Sequence, residues 1–281
     1  MNGLTTQLSA IAKTLNFTED GGNTAVKIIN EDVEKTTRGL IRQLIDSLPP
    51  TTRMVLVNAI YFKGAWEHPF KKEDTKEAAT FHLSGTEKKT VKVAMMSKER
   101  SWPYFEDYDR TNCKAVLLDY NAGNIAMLLV LPAEGVSLGD FITKQLTGQL
   151  LNAAIRGTYA QGKVRLEVPR FKLTGHHKLA ASLRALGLTD VFTNGAANLS
   201  GISPRFEELV VSEVIQQAVI EVNEEGTTAA AGTALLLLGS SRFPPKPKEF
   251  IADRPFLYAL VTKDTHQVLF IGAVEDPTKA K

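Results

Sequence analysis

The stretch MVLVNAIYF, from Met54 to Phe62, is a nearly unbroken run of apolar, largely β-branched and aromatic residues with one amide, Asn58, in its middle. A run this short and this apolar predicts a strand buried on both faces, deep within a sheet. Asn58 then needs a hydrogen-bond partner, because buried amides are almost always satisfied. Similar runs recur along the chain. AVLLDY (115–120) and IAMLLVLP (125–132) flank Asn121-Ala122-Gly123-Asn124, a turn-forming cluster, and predict a hairpin. Alternation between 78 and 96 around Ser84-Gly85 predicts a second, solvent-facing hairpin. VRLEVPRFKL and the segments 212–222, 250–261 and 268–274 read as further strands.

Helical signals lie between these runs. Val26, Ile29, Val33, Leu40, Ile41, Leu44, Ile45 and Leu48 recur at broadly helical spacing and stop at Pro49-Pro50, which predicts one long amphipathic helix over 24–48. Ser137 followed by Asp140 has the form of a helix N-terminus leading into FITKQLTGQLLNAAI, and a short helix is expected around His177 to Leu186. Helices and strands mix without βαβ regularity, so the fold class is α+β with mixed sheets. No linker, repeat or low-complexity tail interrupts residues 1–281, which are expected to form a single domain.

Composition removes several function classes. With 43% hydrophobic and 23% charged residues the chain can build a large core, and a formal net charge of +2 gives no basic field for nucleic acid. The local cluster Lys88, Lys89, Lys92, Lys98 and Arg100 lacks interleaved stacking aromatics and reads as a solvated strand face. His176-His177 has no second ligand cluster nearby in sequence, so neither metal nor cofactor is expected. No segment approaches the roughly 20 apolar residues of a membrane-spanning helix, and MNGLTTQLSAIAKTL lacks the charged and apolar regions of a signal peptide. Cys113 is the single cysteine and reads as a small buried hydrophobe. The sequons at Asn16 and Asn198 are glycosylation candidates that favour an extracellular location for the full-length form, with a cytoplasmic one left open.

The most unusual stretch is IEVNEEGTTAAAGTALLLLGSSRFPPKPKEFIADRPF, from Ile220 to Phe256. It opens as a strand, passes Glu224-Glu225-Gly226 and enters a run of small side chains: Thr227, Thr228, Ala229, Ala230 and Ala231. Gly226 and Gly232 each weaken a helix here by about 1 kcal/mol, and the threonines weaken it further. Taken as a strand, Thr227, Ala229, Ala231, Thr233, Leu235 and Leu237 share one face, small at the leading end and apolar behind. Such a face can slide between two strands, since small groups displace little of a close-packed sheet and the leucines then bury area. Pro244, Pro245 and Pro247 cannot donate to a central ladder, so insertion stops before them.

At this point a resemblance becomes specific. EEGTTAAAGTA resembles the hinge of serpins, the serine protease inhibitor family. NAIYFKGAW, VPRFKL, LRALGLTDVFTNGAANLSGIS, FIADRPFLYAL and FIGAVEDP resemble further family blocks in the family's order. The similarity runs from about Ala12 to Pro277. It implies a serpin-like fold without the family's first helices, with a reactive loop over approximately 224–249. It also implies a suicide-substrate inhibitor that forms a covalent complex with a serine protease, catalyses nothing itself and is prone to loop–sheet oligomers. By the family's loop count the cleaved bond is Ser240-Ser241; Arg242-Phe243 is the rival a trypsin-like enzyme would choose. The resemblance puts Asn58, Trp66 and Gln216 where the sheet opens, Gln216 standing where the family often has histidine. The alternative is a non-inhibitory or inactive member: a carrier, a chaperone or merely a loop substrate.

Overall fold

The computed structural model describes residues 11–85, 89–107, 112–121, 123–160, 162–202, 209–225 and 246–279. In chain order these form α1 (Asn23–Thr36), β1 (Val55–Phe62), β2 (Lys76–His82), β3 (Thr90–Arg100), β4 (Pro103–Asp107), β5 (Cys113–Asp119) and β6 (Ile125–Pro132). There follow α2 (Leu138–Lys144), α3 (Gly148–Gly157), β7 (Tyr159–Ala160), β8 (Val164–Pro169), β9 (Phe171–Lys178) and α4 (Ala180–Ala185). The chain closes with β10 (Glu213–Val222), β11 (Lys248–Ile251), β12 (Phe256–Thr262) and β13 (Val268–Val274). The mixture of sheets and helices is α+β, as expected. Two compact units divide it: residues 1–62 with 174–220, and 63–173 with 221–281.

In the first unit the sheet order is β1-β10-β9, and β1 runs parallel to β10 in continuous register from Val55–Glu213 to Phe62–Ile220. The apolar run of β1 is therefore not buried on both faces. It is an edge strand among the described residues, with Leu56 42% and Val57 39% exposed. Its other residues Val55, Ala59 and Tyr61 pack on a core of Val26, Ile41, Leu44, Ile45, Leu48, Ile215 and Val219.

The helix expected over 24–48 ends at Thr36. Arg38 and Gly39 take positive φ of 54° and 80°, and the Gly39 amide turns back to the Glu34 carbonyl, which ends the α-helical ladder. Thr37 adds a stop: its hydroxyl donates to the Val33 carbonyl and accepts from the Ile41 amide. Beyond it Ile41, Leu44, Ile45 and Leu48 are buried, as their spacing predicted, but in an irregular segment. Asn30 replaces the missing ladder, accepting from the amides of Leu44 and Ile45 and donating to the Ile45 carbonyl.

The second unit holds a six-stranded sheet in the order β13-β12-β6-β5-β4-β7 and a four-stranded sheet in the order β11-β8-β3-β2. The hairpins expected from sequence are the antiparallel pairs β2–β3 and β5–β6. Leu128, Val130, Ala115, Leu257, Ala259 and Val261 form one face of the six-stranded sheet, covered by Phe141 of α2 and Leu150, Ala154 and Ile155 of α3. The segment 138–157 is two helices rather than one. Ser137 caps the first through the Asp140 amide and Thr147 caps the second through the Leu150 amide, so the second cap restarts the chain.

Candidate functional site

VRLEVPRFKL is likewise not one strand. It breaks at Arg170 between β8 and β9, which lie in different sheets. Pro169 ends β8 without an amide hydrogen, and the Arg170 amide bonds the Ala94 carbonyl. The break turns the Arg170 side chain out of the ladder and onto Glu224, the first acidic residue of the expected hinge.

Glu224 is only 3% exposed. Arg170 Nε donates to both of its carboxylate oxygens at 2.8 Å, Arg170 Nη2 lies 2.6 Å from Oε1, and the Thr75 hydroxyl donates to the same oxygen at 2.7 Å. Burial works against the charged form of Glu224, but the bonds from Arg170 and Thr75 outweigh it and hold the carboxyl below its ordinary value of 4.5. The same carboxylate raises the pKa of Arg170, whose other Nη2 contact is Glu77.

Backbone bonds fix the neighbouring residues. The Phe70 amide donates to the Glu224 carbonyl at 3.0 Å, and the Trp66 indole donates to the Asn223 carbonyl at 2.8 Å. Trp66 is itself buried, stacked on Tyr120 with ring centroids 4.3 Å apart and set edge-on to Phe70. Lys63 pairs with Glu221 at 2.6 Å, and Lys72 pairs with Glu225 at 2.6 Å. The chain is thus held at 221, 223, 224 and 225 immediately before residue 226. Trp66, singled out in the sequence, belongs to this latch. Arg170, Thr75 and Phe70 were not, because a buried carboxylate announces the need for a cation without saying which of 33 lysines and arginines supplies it.

Asn58 and Gln216 form a second feature in the other unit. They are register partners of β1 and β10, and the Gln216 amide donates to Asn58 Oδ1 at 3.2 Å. Asn58 is exposed rather than buried, so its bond is not compelled by desolvation.

The remaining expected residues divide cleanly. Gly226, Thr227, Thr228, Ala229, Ala230 and Ala231, together with Ser240, Ser241, Arg242 and Phe243, lie outside the described residues. Asn16 and Asn198 are both exposed. Asn16 Oδ1 accepts the Thr18 hydroxyl at 2.8 Å, and Asn198 Oδ1 accepts the Ser200 hydroxyl at 2.8 Å. Of the basic cluster, Lys88 lies outside the described residues, and Lys92, Lys98 and Arg100 share one side of β3. Lys98 is half-buried with its ammonium on the Pro69 carbonyl, and Arg100 lies over the Trp102 ring. His176 Nε2 bonds the Leu44 carbonyl, and no group of acidic, histidine or cysteine side chains suited to a metal occurs among the described residues. Among those residues no helix is long and apolar enough to cross a membrane.

Comparison with known proteins supplies the family. The sequence pattern of the serpins, described as serine protease inhibitors, matches residues 2–277. The chain is 38% identical over 260 residues to human plasminogen activator inhibitor 2, covering 90% of itself and 60% of that protein. It is 37% identical over 262 residues to mouse leukocyte elastase inhibitor A, covering 90% of itself and 66% of that protein. It therefore spans about three fifths of the length of the first of these relatives. Among solved structures, thyroxine-binding globulin complexed with thyroxine matches with a TM-score of 0.82 and 29% identity, over 99% of this chain and 71% of that one. Uncleaved ovalbumin matches with a TM-score of 0.78 and 32% identity, over 94% of this chain and 65% of that one. A pattern that spans nearly every residue, from the strands of β1 to those of β13 and through the latch, means that this chain belongs to the serpin family.

Proposed function

We propose that the chain is a serine protease inhibitor that acts as a suicide substrate, its loop being cleaved and entering the β1–β10 sheet as a new strand. The observation that supports this is the parallel β1–β10 pair, with the loop issuing from the end of β10. A segment that turns back from that end runs antiparallel to β10, and if it lies between the two strands it is antiparallel to β1 as well. One parallel ladder, the slightly weaker kind, is exchanged for two antiparallel ones. The small alternate residues Thr227, Ala229 and Ala231 lower the barrier to entry, and Leu235 and Leu237 supply buried area afterwards.

In the chemical step the protease serine oxygen attacks the scissile carbonyl and the C–N bond breaks. The serine proton passes through the protease histidine to the departing amine, leaving an ester between inhibitor and enzyme. Insertion carries the enzyme away before water hydrolyses that ester. Ser240-Ser241 is the proposed bond, with Arg242-Phe243 the rival. The latch around Glu224 fixes the base of the loop, so the moving strand starts after Glu225.

Incubation with trypsin, elastase and chymotrypsin tests this, with an SDS-stable complex expected from one of them and intact mass naming the bond. Thr227→Arg places a charge at the leading position and is expected to turn inhibitor into substrate. Cleavage without complex in the parent protein would sink the proposal and support the alternative of a non-inhibitory member, a carrier or loop substrate. One observation favours that second reading: a structural neighbour was solved with thyroxine bound. Asn16 and Asn198 are proposed as glycan acceptors; the protein from a secreting host should lose two glycans' mass on amidase treatment, and no loss would remove the proposal.

A further inference from the structure

Ile215, Gln217 and Val219 alternate along β10 and point to one side of its sheet. The two apolar residues are each 2% exposed and pack, with Ala59 of β1, on the core that includes Val26 of α1. Gln217 lies between them and is the register partner of Ala59, so an amide stands in the middle of an apolar stripe. The residue as a whole is half-buried, but its Oε1 is buried and meets no hydrogen-bond donor among the described residues. Gln216, on the other side of the strand, is instead bonded to Asn58. A buried acceptor without a donor raises the free energy of the state that contains it, whereas an apolar group of the same shape does not.

The latch sets the register of a strand entering between β1 and β10. β10 ends at Val222, and Asn223 Oδ1 accepts the Glu225 amide at 3.2 Å, a local turn that begins the chain's reversal. With Asn223 to Gly226 as a four-residue turn, Thr227 opposes Val222 and Gly232 opposes Gln217. Opposed residues share a side, so the entering strand sets Ala230 beside Val219 and Ala234 beside Ile215 on the core face. Ala59 then stands one strand spacing, about 4.8 Å, further from Gln217. The residue that takes its place has no side chain, which leaves the amide room to turn or to take a bridging water.

We propose that Gln217 biases the sheet towards insertion: its unpaired carbonyl raises the free energy of the intact sheet, and the arrival of Gly232 opposite it removes that penalty. This builds on the suicide-substrate reading above and adds to it a residue that sets the driving force. Gln217 touches neither the cleaved bond nor the latch. Its effect is confined to the difference between the intact and the inserted sheet.

Thermal melts of the parent and of Gln217→Met, each intact and nicked between residues 237 and 243, test it. The substitution keeps the length of the side chain and removes the carbonyl. It should raise the midpoint of the intact protein by about 3 °C and that of the nicked protein by under about 1 °C. It should also raise the moles of inhibitor cleaved per mole of protease trapped, because a sheet with less to gain inserts more slowly. Gly232→Val returns a side chain to the place opposite Gln217 and should lower the midpoint of the nicked protein; adding Gln217→Ala should remove most of that loss. An intact midpoint unchanged or lowered in both Gln217→Met and Gln217→Leu overturns the inference, and so does an equal rise in the intact and nicked forms. Either result leaves the insertion reading standing as long as the nicked parent melts above the intact parent. A parent that gains nothing on nicking overturns both together.

Discussion

The six-stranded sheet and the β1-β10-β9 sheet are built on opposite principles. In the first, every neighbouring pair is antiparallel, and the residues of β6 and β12 are buried almost throughout. In the second, the β1–β10 pair is parallel, β1 is exposed over Leu56, Val57 and Asn58 and half-buried over its other residues, and the amide contact between Gln216 and Asn58 lies in the open. A sheet packed like the first resists any new strand, because moving one buried residue disturbs many neighbours. A sheet like the second has a ladder that can be exchanged at little cost in packing. Serpin inhibition as proposed above asks for this pairing of a rigid frame with a sheet that opens.

The sharpest way to break the contrast is to remove the same kind of volume from each sheet. Leu128→Ala, fully buried in the frame, should cost about 3 kcal/mol, seen as a fall of roughly 10 °C in the melting midpoint. Val57→Ala on β1 should cost under about 1 kcal/mol in the same melt. Equal losses would mean that the second sheet is packed as tightly as the first.

Glu224→Gln comes next. It removes the charge that Arg170 forks, leaving that guanidinium short of a partner; since the Arg170 side chain is 37% exposed, water compensates in part and the loss should be about 2 kcal/mol. Hydrogen exchange should quicken at residues 221–225 and leave β6 unchanged. Exchange quickening everywhere would make the latch a global support instead of a local one.

Acid should act on the same group. A carboxylate whose folded pKa is depressed contributes stability that is present above its unfolded pKa, about 4.3, and is lost as the pH falls through the folded value. Proteolytic susceptibility near residue 225 should therefore rise only below about pH 4.3, and Glu224→Gln should abolish that dependence. The smallest effect belongs to Gln216→Ala. Its exposed bond to Asn58 is worth under about 1 kcal/mol, measurable in urea as a small shift in the unfolding midpoint.

Much of the strand order was legible because period-two alternation and turn residues are local signals. β13 and the β5–β6 hairpin fall where the pattern put them. The failures have a common cause. The apolar spacing of Ile41, Leu44, Ile45 and Leu48 reported burial correctly, but burial does not specify a helix when Asn30 can bond the same backbone groups. The run Val55–Phe62 reported β-propensity, and nothing local says whether a strand is central or at an edge. Trp66 was visible through the NAIYFKGAW block of the family resemblance, and its bond to Asn223 crosses 157 residues of sequence. The Arg170–Glu224 pair spans 54 residues and two sheets, a distance over which no pattern carries information.

The central claim is that the β1–β10 sheet gains a strand when the loop is cut. A thermal melt of the intact protein beside protein nicked between residues 227 and 243 tests it directly. The account predicts a midpoint at least about 10 °C higher after cleavage, the shift that a few kcal/mol produces in a chain of this size. An unchanged or lower midpoint would contradict it.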